Sequence, residues 1–199
     1  DGPTEFKFLV IDTDIDDDTT RLGLIKKIEL GLRNALSQTE RARALLSTAW
    51  GFLQRFEAGG VKLGQGAPAE EETLFDEFTY ALSATAERVC NVNESQALFN
   101  ATYDGILILI DEADKSSSSL RLGGFAKLFL ERLNRRGCHT VMLGLVGLES
   151  IHESLRHSHP SSLRLFDTIT LSRLSNDEVG RVIDMCMTSA NKTNADKTS

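Results

Sequence analysis

Two adjacent acids, Asp111 and Glu112, follow five consecutive apolar residues, Ile106 to Ile110. A short run of isoleucine and leucine is typical of a parallel strand that is buried on both faces. Open α/β sheets bind their ligands in the crevice at the carboxyl ends of such strands. The two carboxylates are therefore the first candidates for chemistry in this chain. Alternatively, they simply end a strand at the surface.

The segment from Ile106 to Asp114, ILILIDEAD, resembles the Walker B motif of the P-loop ATPases. The pair of acids followed by a further acid is frequent in the AAA superfamily. The resemblance implies that Asp111 holds Mg²⁺ through its water shell and that Glu112 polarises the water that attacks ATP. It covers about residues 6–190 and is closest to bacterial and archaeal ATPases related to origin-recognition and signalling ATPases. ATP and Mg²⁺ are the cofactors that it implies, with nucleotide turnover coupled to conformational change.

A second part of the resemblance lies downstream, in Pro160 to Phe166 (PSSLRLF). This stretch looks like the S-x-x-R-x-F sequence that carries an arginine finger in related ATPases. Arg164 would then stabilise charge on the transferring phosphoryl group, often on the nucleotide of a neighbouring subunit. The resemblance thus implies a homo-oligomer and singles out no nucleic-acid or protein partner. Alternatively, Arg164 is a solvated arginine beside a buried Phe166.

One part of the ATPase pattern is absent from the sequence, because no lysine stands in a G-x-x-x-x-G-K-[ST] loop. The chain is therefore either a degenerate ATPase, acting as a nucleotide-independent interaction module, or it begins after the P-loop. We favour the second explanation, because Phe6 to Asp12 matches the strand that follows the P-loop helix. Residues 1–174 are then an ATPase core without its first strand and P-loop, and 175–199 are the start of a helical lid with a polar tail. We expect these 199 residues alone to be inactive.

A rival interpretation starts from Asp12 and Asp14, which form a D-x-D pair after the first predicted strand. Haloacid-dehalogenase-type phosphohydrolases resemble this arrangement, with a nucleophilic aspartate, an acid/base aspartate and Mg²⁺. Asp111 and Asp114 would then supply the distal metal ligands. Ile15 stands where that family has glycine, however, and Asp16 stands where it prefers threonine or valine. In a purely structural interpretation, Asp16 to Asp18 cap a helix.

The order of strand and helix patterns predicts an α/β fold with a mainly parallel sheet. The predicted strands are Phe6–Asp12, Ile106–Ile110, Thr140–Val146 and Thr168–Leu171. Together with the family resemblance, they predict a P-loop-like three-layer sandwich that is incomplete at both ends. Residues 37–56 predict one helix with a capping box and a core-facing stripe, and 91–105 predict a polar connector. The strand order of the ATPase family implies that each of the last two strands lacks a neighbouring strand on one side. In that family the strand corresponding to Thr140–Val146 usually ends in a polar residue, called the sensor residue. The Thr140–Val146 strand has no polar residue at its end.

Composition excludes several other classes of protein. The chain is 41% hydrophobic and 26% charged, as in ordinary globular domains. Its net charge of −7 argues against a surface built mainly for nucleic acid. The longest apolar run is far below the ~20 residues of a membrane span, and no secretion signal opens the chain. Three well-separated cysteines, Cys90, Cys138 and Cys186, indicate a reducing, cytoplasmic setting rather than a disulfide or zinc framework.

Overall fold

The computed structural model describes residues 6–37, 39–58 and 68–195. The chain divides into two compact units, Asp1–Phe166 and Asp167–Ser199. The sequence predicts a loop or small hairpin over residues 61–68, and all of it except Pro68 lies outside the described residues. The first unit contains, in chain order, β1 (Phe8–Asp14), α1 (Arg21–Leu36), α2 (Glu40–Ala49), α3 (Phe52–Ala58), α4 (Pro68–Cys90), α5 (Val92–Phe99), β2 (Gly105–Asp111), a 3₁₀ helix (Ala113–Lys115), α6 (Leu122–Arg135), β3 (Val141–Leu145), α7 (Ile151–Ser158) and a second 3₁₀ helix (Ser162–Leu165).

The three strands form one parallel sheet in the order β1-β2-β3. Ile108 in the central strand lies opposite Ile11 of β1 and opposite Leu143 of β3. The predicted α/β class with a parallel sheet is therefore confirmed. Among the residues that the structure describes, no helix combines the length and the apolar character needed to cross a lipid bilayer.

One face of the sheet forms the floor of the hydrophobic core. Leu9 and Ile11 of β1 and Ile106 of β2 lie on this face and are buried. Helix α1 packs on it so closely that a Cβ on Gly31 would lie 2.5 Å from Cγ2 of Ile11. Helix α4 contacts β2. The core therefore lies between this face and the helices that connect the strands.

Aromatic side chains hold the helical layer together. Phe78 of α4 stacks on Phe129 of α6 with ring centroids 5.6 Å apart, and Phe75 meets Phe125 edge to face at 5.1 Å. Trp50 is also buried and donates its indole N–H to Oγ1 of Thr85 at 3.3 Å. The ring contacts join α4 to α6 above the sheet. They fix the positions of these helices between the strands.

The opposite face of the sheet is less covered than the sequence predicts. Val10 of β1 is 49% exposed and Met142 of β3 is 53% exposed. Leu107 and Leu109 of β2 are half-buried on the same face. The prediction of a strand buried on both faces therefore holds fully for only one face of β2. In the described ranges, β3 pairs only with β2, so its other edge has no strand beside it.

The helical region after Ser37 differs from its prediction in two ways. Thr39 rather than Ser37 caps α2, because its Oγ1 accepts a hydrogen bond from the backbone N–H of Ala42 at 3.1 Å. The predicted single helix is also broken at Trp50 and Gly51, and α3 begins at Phe52. The break divides the predicted stripe between two helices, and its members Ala49, Leu53 and Phe56 pack in the core.

The predicted polar connector contains helix α5. Asn91 caps this helix by accepting the backbone N–H of Glu94 on Oδ1 at 3.1 Å. Asn100 ends it with φ of 55°, a left-handed conformation that asparagine tolerates better than most residues. Two asparagines bracketing eight residues were the available signal for this helix.

The second unit contains one helix, α8 (Asn176–Ala195). The sequence also predicts a capping box at Ser175 and Glu178 ahead of this helix. It is confirmed, because Ser175 Oγ accepts the backbone N–H of Glu178 and the Glu178 carboxylate accepts the backbone N–H of Ser175 at 2.8 Å. The predicted strand at Thr168–Leu171 is wrong. Residues 168–171 are irregular, with Ile169 85% and Leu171 89% exposed. Alternating apolar residues form a strand only when a neighbour supplies the hydrogen bonds, and no described strand pairs with this segment.

Candidate functional site

Acidic residues meet where β1 and β2 end. Asp14 and Asp111 are the last residues of adjacent parallel strands and lie opposite each other in register. The ladder continues one step further, because the backbone N–H of Ile15 donates to the Asp111 carbonyl at 3.2 Å. Strand β1 therefore ends two residues later than the sequence predicts. Asp12 lies inside the strand opposite Leu109, and Asp14 occupies the edge.

The backbone turns sharply after Asp111 and leaves the predicted pair in solvent. Glu112 has φ of 52° and ψ of 31°, the left-handed region that side chains other than glycine and asparagine seldom adopt. Asp111 Oδ1 accepts the backbone N–H of Glu112 at 2.7 Å. Ala113, the next residue, is fully buried. The turn thus anchors one side of the loop in the core while both carboxylates stay exposed, as a ligand site requires.

Lys115 forms an ion pair with Glu112 that sequence analysis missed. Its Nζ lies 2.7 Å from Oε1 of Glu112, and both side chains are about half exposed. The hydrogen bond to this carboxylate raises the pKa of Lys115 above its ordinary value. The signal in the sequence is the spacing of three residues, which places the two side chains on one side of the 3₁₀ helix. The ammonium therefore occupies one oxygen of the predicted water-activating group.

Asp114 ties the loop after β2 to the loop after β3. Its Oδ1 accepts the backbone N–H of Leu148 at 3.1 Å, and the backbone N–H of Ala113 donates to the Val146 carbonyl at 2.9 Å. A Cβ on Gly147 would lie 2.6 Å from the same carboxylate oxygen. Glycine at the end of β3 therefore permits this close approach. The third acid of the ILILIDEAD segment has a structural role here.

The acidic run after β1 forms a turn and does not cap α1. Asp16 Oδ1 accepts the hydroxyl of Thr19 at 2.6 Å and the backbone N–H of Asp18 at 3.1 Å. The Thr19 hydroxyl lowers the pKa of Asp16 below its ordinary value. Thr20 is the residue that caps the helix, accepting the N–H of Gly23 on Oγ1 at 3.1 Å. The expectation that Asp16 to Asp18 cap a helix is therefore wrong, because the cap follows them.

The arrangement of the acidic side chains decides which kind of metal site they could form. Within the described part of the chain, no three side chains of histidine, cysteine, aspartate or glutamate are grouped so that they could hold a metal ion. The dehalogenase-like interpretation needs such a group, because Asp12, Asp14, Asp111 and Asp114 would have to converge. Mg²⁺ bound to a nucleotide needs only one or two carboxylates, since water and phosphate oxygens complete its shell. The exposed carboxylate of Asp111 fits that requirement.

Arg164 lies on the second 3₁₀ helix, which packs against α6 and α7. Its side chain is exposed, and in the described ranges it makes no hydrogen bond or ion pair. Phe166, at the end of the same stretch, packs against the core. The structure therefore presents Arg164 outward and does not bring it into a bond with Asp111 or Glu112.

Comparisons with protein-family models, with curated proteins and with solved structures find no match to this chain.

Proposed function

We propose that this chain is part of an ATP-hydrolysing domain of the AAA type. Asp111 holds Mg²⁺ through water, and Glu112 polarises the water that attacks the terminal phosphate. The observation that carries the proposal is the exposed Asp111–Glu112 pair at the carboxyl end of β2, the central strand of a parallel sheet. This is the position at which open α/β sheets bind ligands.

The residues of this loop have separate tasks in the proposed reaction. The left-handed turn at Glu112 keeps its carboxylate in solvent, where it can accept a hydrogen bond from a water molecule. The backbone N–H of Glu112 holds one carboxylate oxygen of Asp111, which leaves the other oxygen free to hold a hydrated Mg²⁺ when the ion is bound. Mg²⁺, when bound, supplies positive charge against the phosphate oxygens. The anchoring of Ala113 and Asp114 keeps these positions constant while nucleotide binds and leaves.

The finer fold is part of the same proposal. In P-loop ATPases of this class, the strand that leads into the P-loop lies beside the strand that corresponds to β3. The free edge of β3 supports such an arrangement, as does the apolar face carrying Val10 and Met142. We place the phosphate-binding loop on a segment outside residues 1–199 that adds a strand at this edge. A third layer would then cover the exposed face and complete the sandwich.

The proposal extends to a neighbouring copy of the protein. Arg164 is exposed and without an ion pair in the described ranges, as an arginine that acts on another subunit's nucleotide must be. The protein would then assemble as a homo-oligomer. A cytoplasmic setting fits as well, because Cys90, Cys138 and Cys186 are free thiols.

The proposal is tested by measuring phosphate release from ATP by the full-length protein with and without Mg²⁺. We expect turnover that requires Mg²⁺ and that falls at least 10²-fold in Asp111→Asn, because Mg²⁺ loses the carboxylate that holds its water shell. Asp18→Asn is the matched control, since the Asp18 side chain accepts no hydrogen bond in the described structure. A full-length protein without Mg²⁺-dependent hydrolysis would overturn the proposal in favour of an interaction module.

A further inference from the structure

A second candidate site lies in a cavity between α7 and the loop that leads into α6. Its volume is about 780 Å³, within the range of small-molecule sites. We name it the serine–arginine cavity after its lining, which includes Ser116 to Ser118, Ser154, Arg121 and Arg156. Neither Asp111 nor Glu112 lines it. The cavity is therefore separate from the proposed ATPase site.

Two unpaired cations give the serine–arginine cavity its charge. The guanidinium groups of Arg121 and Arg156 are exposed, and neither makes a hydrogen bond or ion pair within the ranges that the structure describes. Glu153 is the acidic residue of the described lining, so the formal charge is positive although the whole chain carries −7. Ion pairs with acids occupy six other arginines: Arg21, Arg33, Arg55, Arg88, Arg132 and Arg136. The two cavity arginines thus remain available for an anion.

The serine hydroxyls form a polar wall beside these cations. Ser116 and Ser154 are hydrogen bonded to each other at 2.9 Å, which joins the loop to α7. Ser117 donates to the backbone carbonyl of Thr19 at 2.9 Å. The Ser118 hydroxyl has no partner in the described structure. A hydroxyl carries one donor proton, so Ser117 has none left for a ligand. The Ser118 hydroxyl and one hydroxyl of the Ser116–Ser154 pair can donate to an anion beside a guanidinium group.

The backbone at Arg121 adds a separate observation. Arg121 has φ of 50° and ψ of 58°, a left-handed conformation that costs a non-glycine residue free energy. Its carbonyl begins α6 by accepting the N–H of Phe125 at 2.9 Å, so the surrounding structure enforces the conformation. Strained residues of this kind cluster at ligand sites, where the strain positions a side chain. Here the turn places the guanidinium group at the cavity.

We propose that the serine–arginine cavity binds the phosphate group of a small phosphorylated ligand. Guanidinium groups match phosphate oxygens in bidentate geometry, and two of them at one cavity can hold a dianion. The volume is large enough for a ligand of nucleotide size, and the net charge of −7 on the whole chain disfavours a long polyanion. This inference does not depend on the proposed ATPase activity, because none of its residues belongs to that site.

The test is calorimetric titration of inorganic pyrophosphate into the full-length protein without ATP. The test variants are Arg121→Asn and Arg156→Gln. Asparagine tolerates the left-handed backbone, so the first variant removes the charge and keeps the turn. We expect saturable binding that weakens about tenfold or more in each variant, as the loss of a charge-assisted hydrogen bond predicts. Arg135→Gln is the matched control, because Arg135 is an exposed arginine of the same helix outside the cavity.

Each of the following outcomes would contradict the proposal. Unchanged affinity in both single variants would place pyrophosphate elsewhere, and an equal loss in Arg135→Gln would show nonspecific charge attraction. If a short oligonucleotide displaces pyrophosphate and depends on the same two arginines, the cavity serves a nucleic-acid backbone instead. Circular dichroism checks folding, and Arg121→Gly, which accommodates φ of 50° without strain, repeats the test if Arg121→Asn fails to fold.

Discussion

The ammonium group of Lys115 lies 2.7 Å from the carboxylate of Glu112, three residues earlier on the same 3₁₀ turn. In the proposed reaction this cation competes with the attacking water for the same carboxylate. Exposed ion pairs contribute little because solvent screens them, so removing this one changes a rate by only a few-fold. We therefore expect Lys115→Ala to raise ATP turnover of the full-length protein up to about fivefold.

The Lys115 prediction has its control in a double variant. If Lys115 acts through Glu112, Lys115→Ala has no effect on turnover when Glu112→Gln is already present. Both rates are measured as steady-state phosphate release. An equal change in the two backgrounds would show that Lys115 affects hydrolysis by another route.

We expect ATP hydrolysis to depend on the charge of Asp111 and not on the charge of Asp12. Asp12 lies inside β1, opposite Leu109, whereas Asp111 ends β2 at the ligand edge of the sheet. We expect Asp12→Asn to leave ATP hydrolysis nearly intact. The measurement is a comparison of Asp12→Asn with Asp111→Asn in the same phosphate-release assay. Loss of all phosphatase activity in Asp12→Asn would instead support the dehalogenase-like mechanism.

Helix α1 can be tested for its contact with the sheet at Gly31. A methyl group there would lie 2.5 Å from Cγ2 of Ile11, a β-branched side chain that cannot move aside easily. We expect Gly31→Ala to lower the free energy of unfolding by about 1–2 kcal/mol, because overpacking outweighs the gain in helix propensity. Urea unfolding measures the change.

Gly124→Ala is the matched control for Gly31→Ala. The Cβ at Gly124 would meet only the end of the Arg21 side chain, at 3.8 Å. Gly124 also lies within a helix, so alanine there is expected to stabilise the protein by up to about 1 kcal/mol. A destabilisation of equal size at both positions would show that α1 does not pack on Ile11 as described.

The turn after β1 makes a prediction about pH. The Thr19 hydroxyl lowers the pKa of Asp16 in the folded state. A lowered carboxyl pKa adds stability above the unfolded value of about 3.9, and this contribution is lost as the pH falls through the folded value. NMR titration of the Asp16 carboxyl carbon should give a pKa below the ordinary value of an aspartate, with a return toward that value in Thr19→Val. An unchanged pKa in Thr19→Val would contradict the assignment of its cause.

The sequence predicts the sheet well where burial alone determines the structure. Ile106 to Ile110 and Thr140 to Val146 predict β2 and β3 because a continuous apolar run needs a covered face. The exposed position of Asp111 and Glu112 follows from the same pattern. By contrast, Thr168 to Leu171 has strand character without a strand, since strand formation also depends on a partner that local sequence does not specify.

Competition between neighbouring capping residues explains why α2 begins later than the sequence predicts. Ser37 and Thr39 are both good N-caps, and their two-residue separation decides which N–H groups each can reach.

The left-handed backbone at Glu112 and at Arg121 has no sequence signature, because neither glycine nor asparagine marks the position. The serine–arginine cavity includes such a turn and becomes visible only in three dimensions, whereas the spacing of Glu112 and Lys115 is a signal for their ion pair.

The proposal that Glu112 polarises the attacking water is tested by Glu112→Gln in the full-length protein. ATP affinity and steady-state turnover are measured on the same preparation. Glutamine keeps the size of the side chain but removes its ability to polarise water as a carboxylate does. We expect unchanged ATP affinity with turnover lowered about 10²-fold or more. Unchanged steady-state hydrolysis in this variant would contradict the proposed role of Glu112.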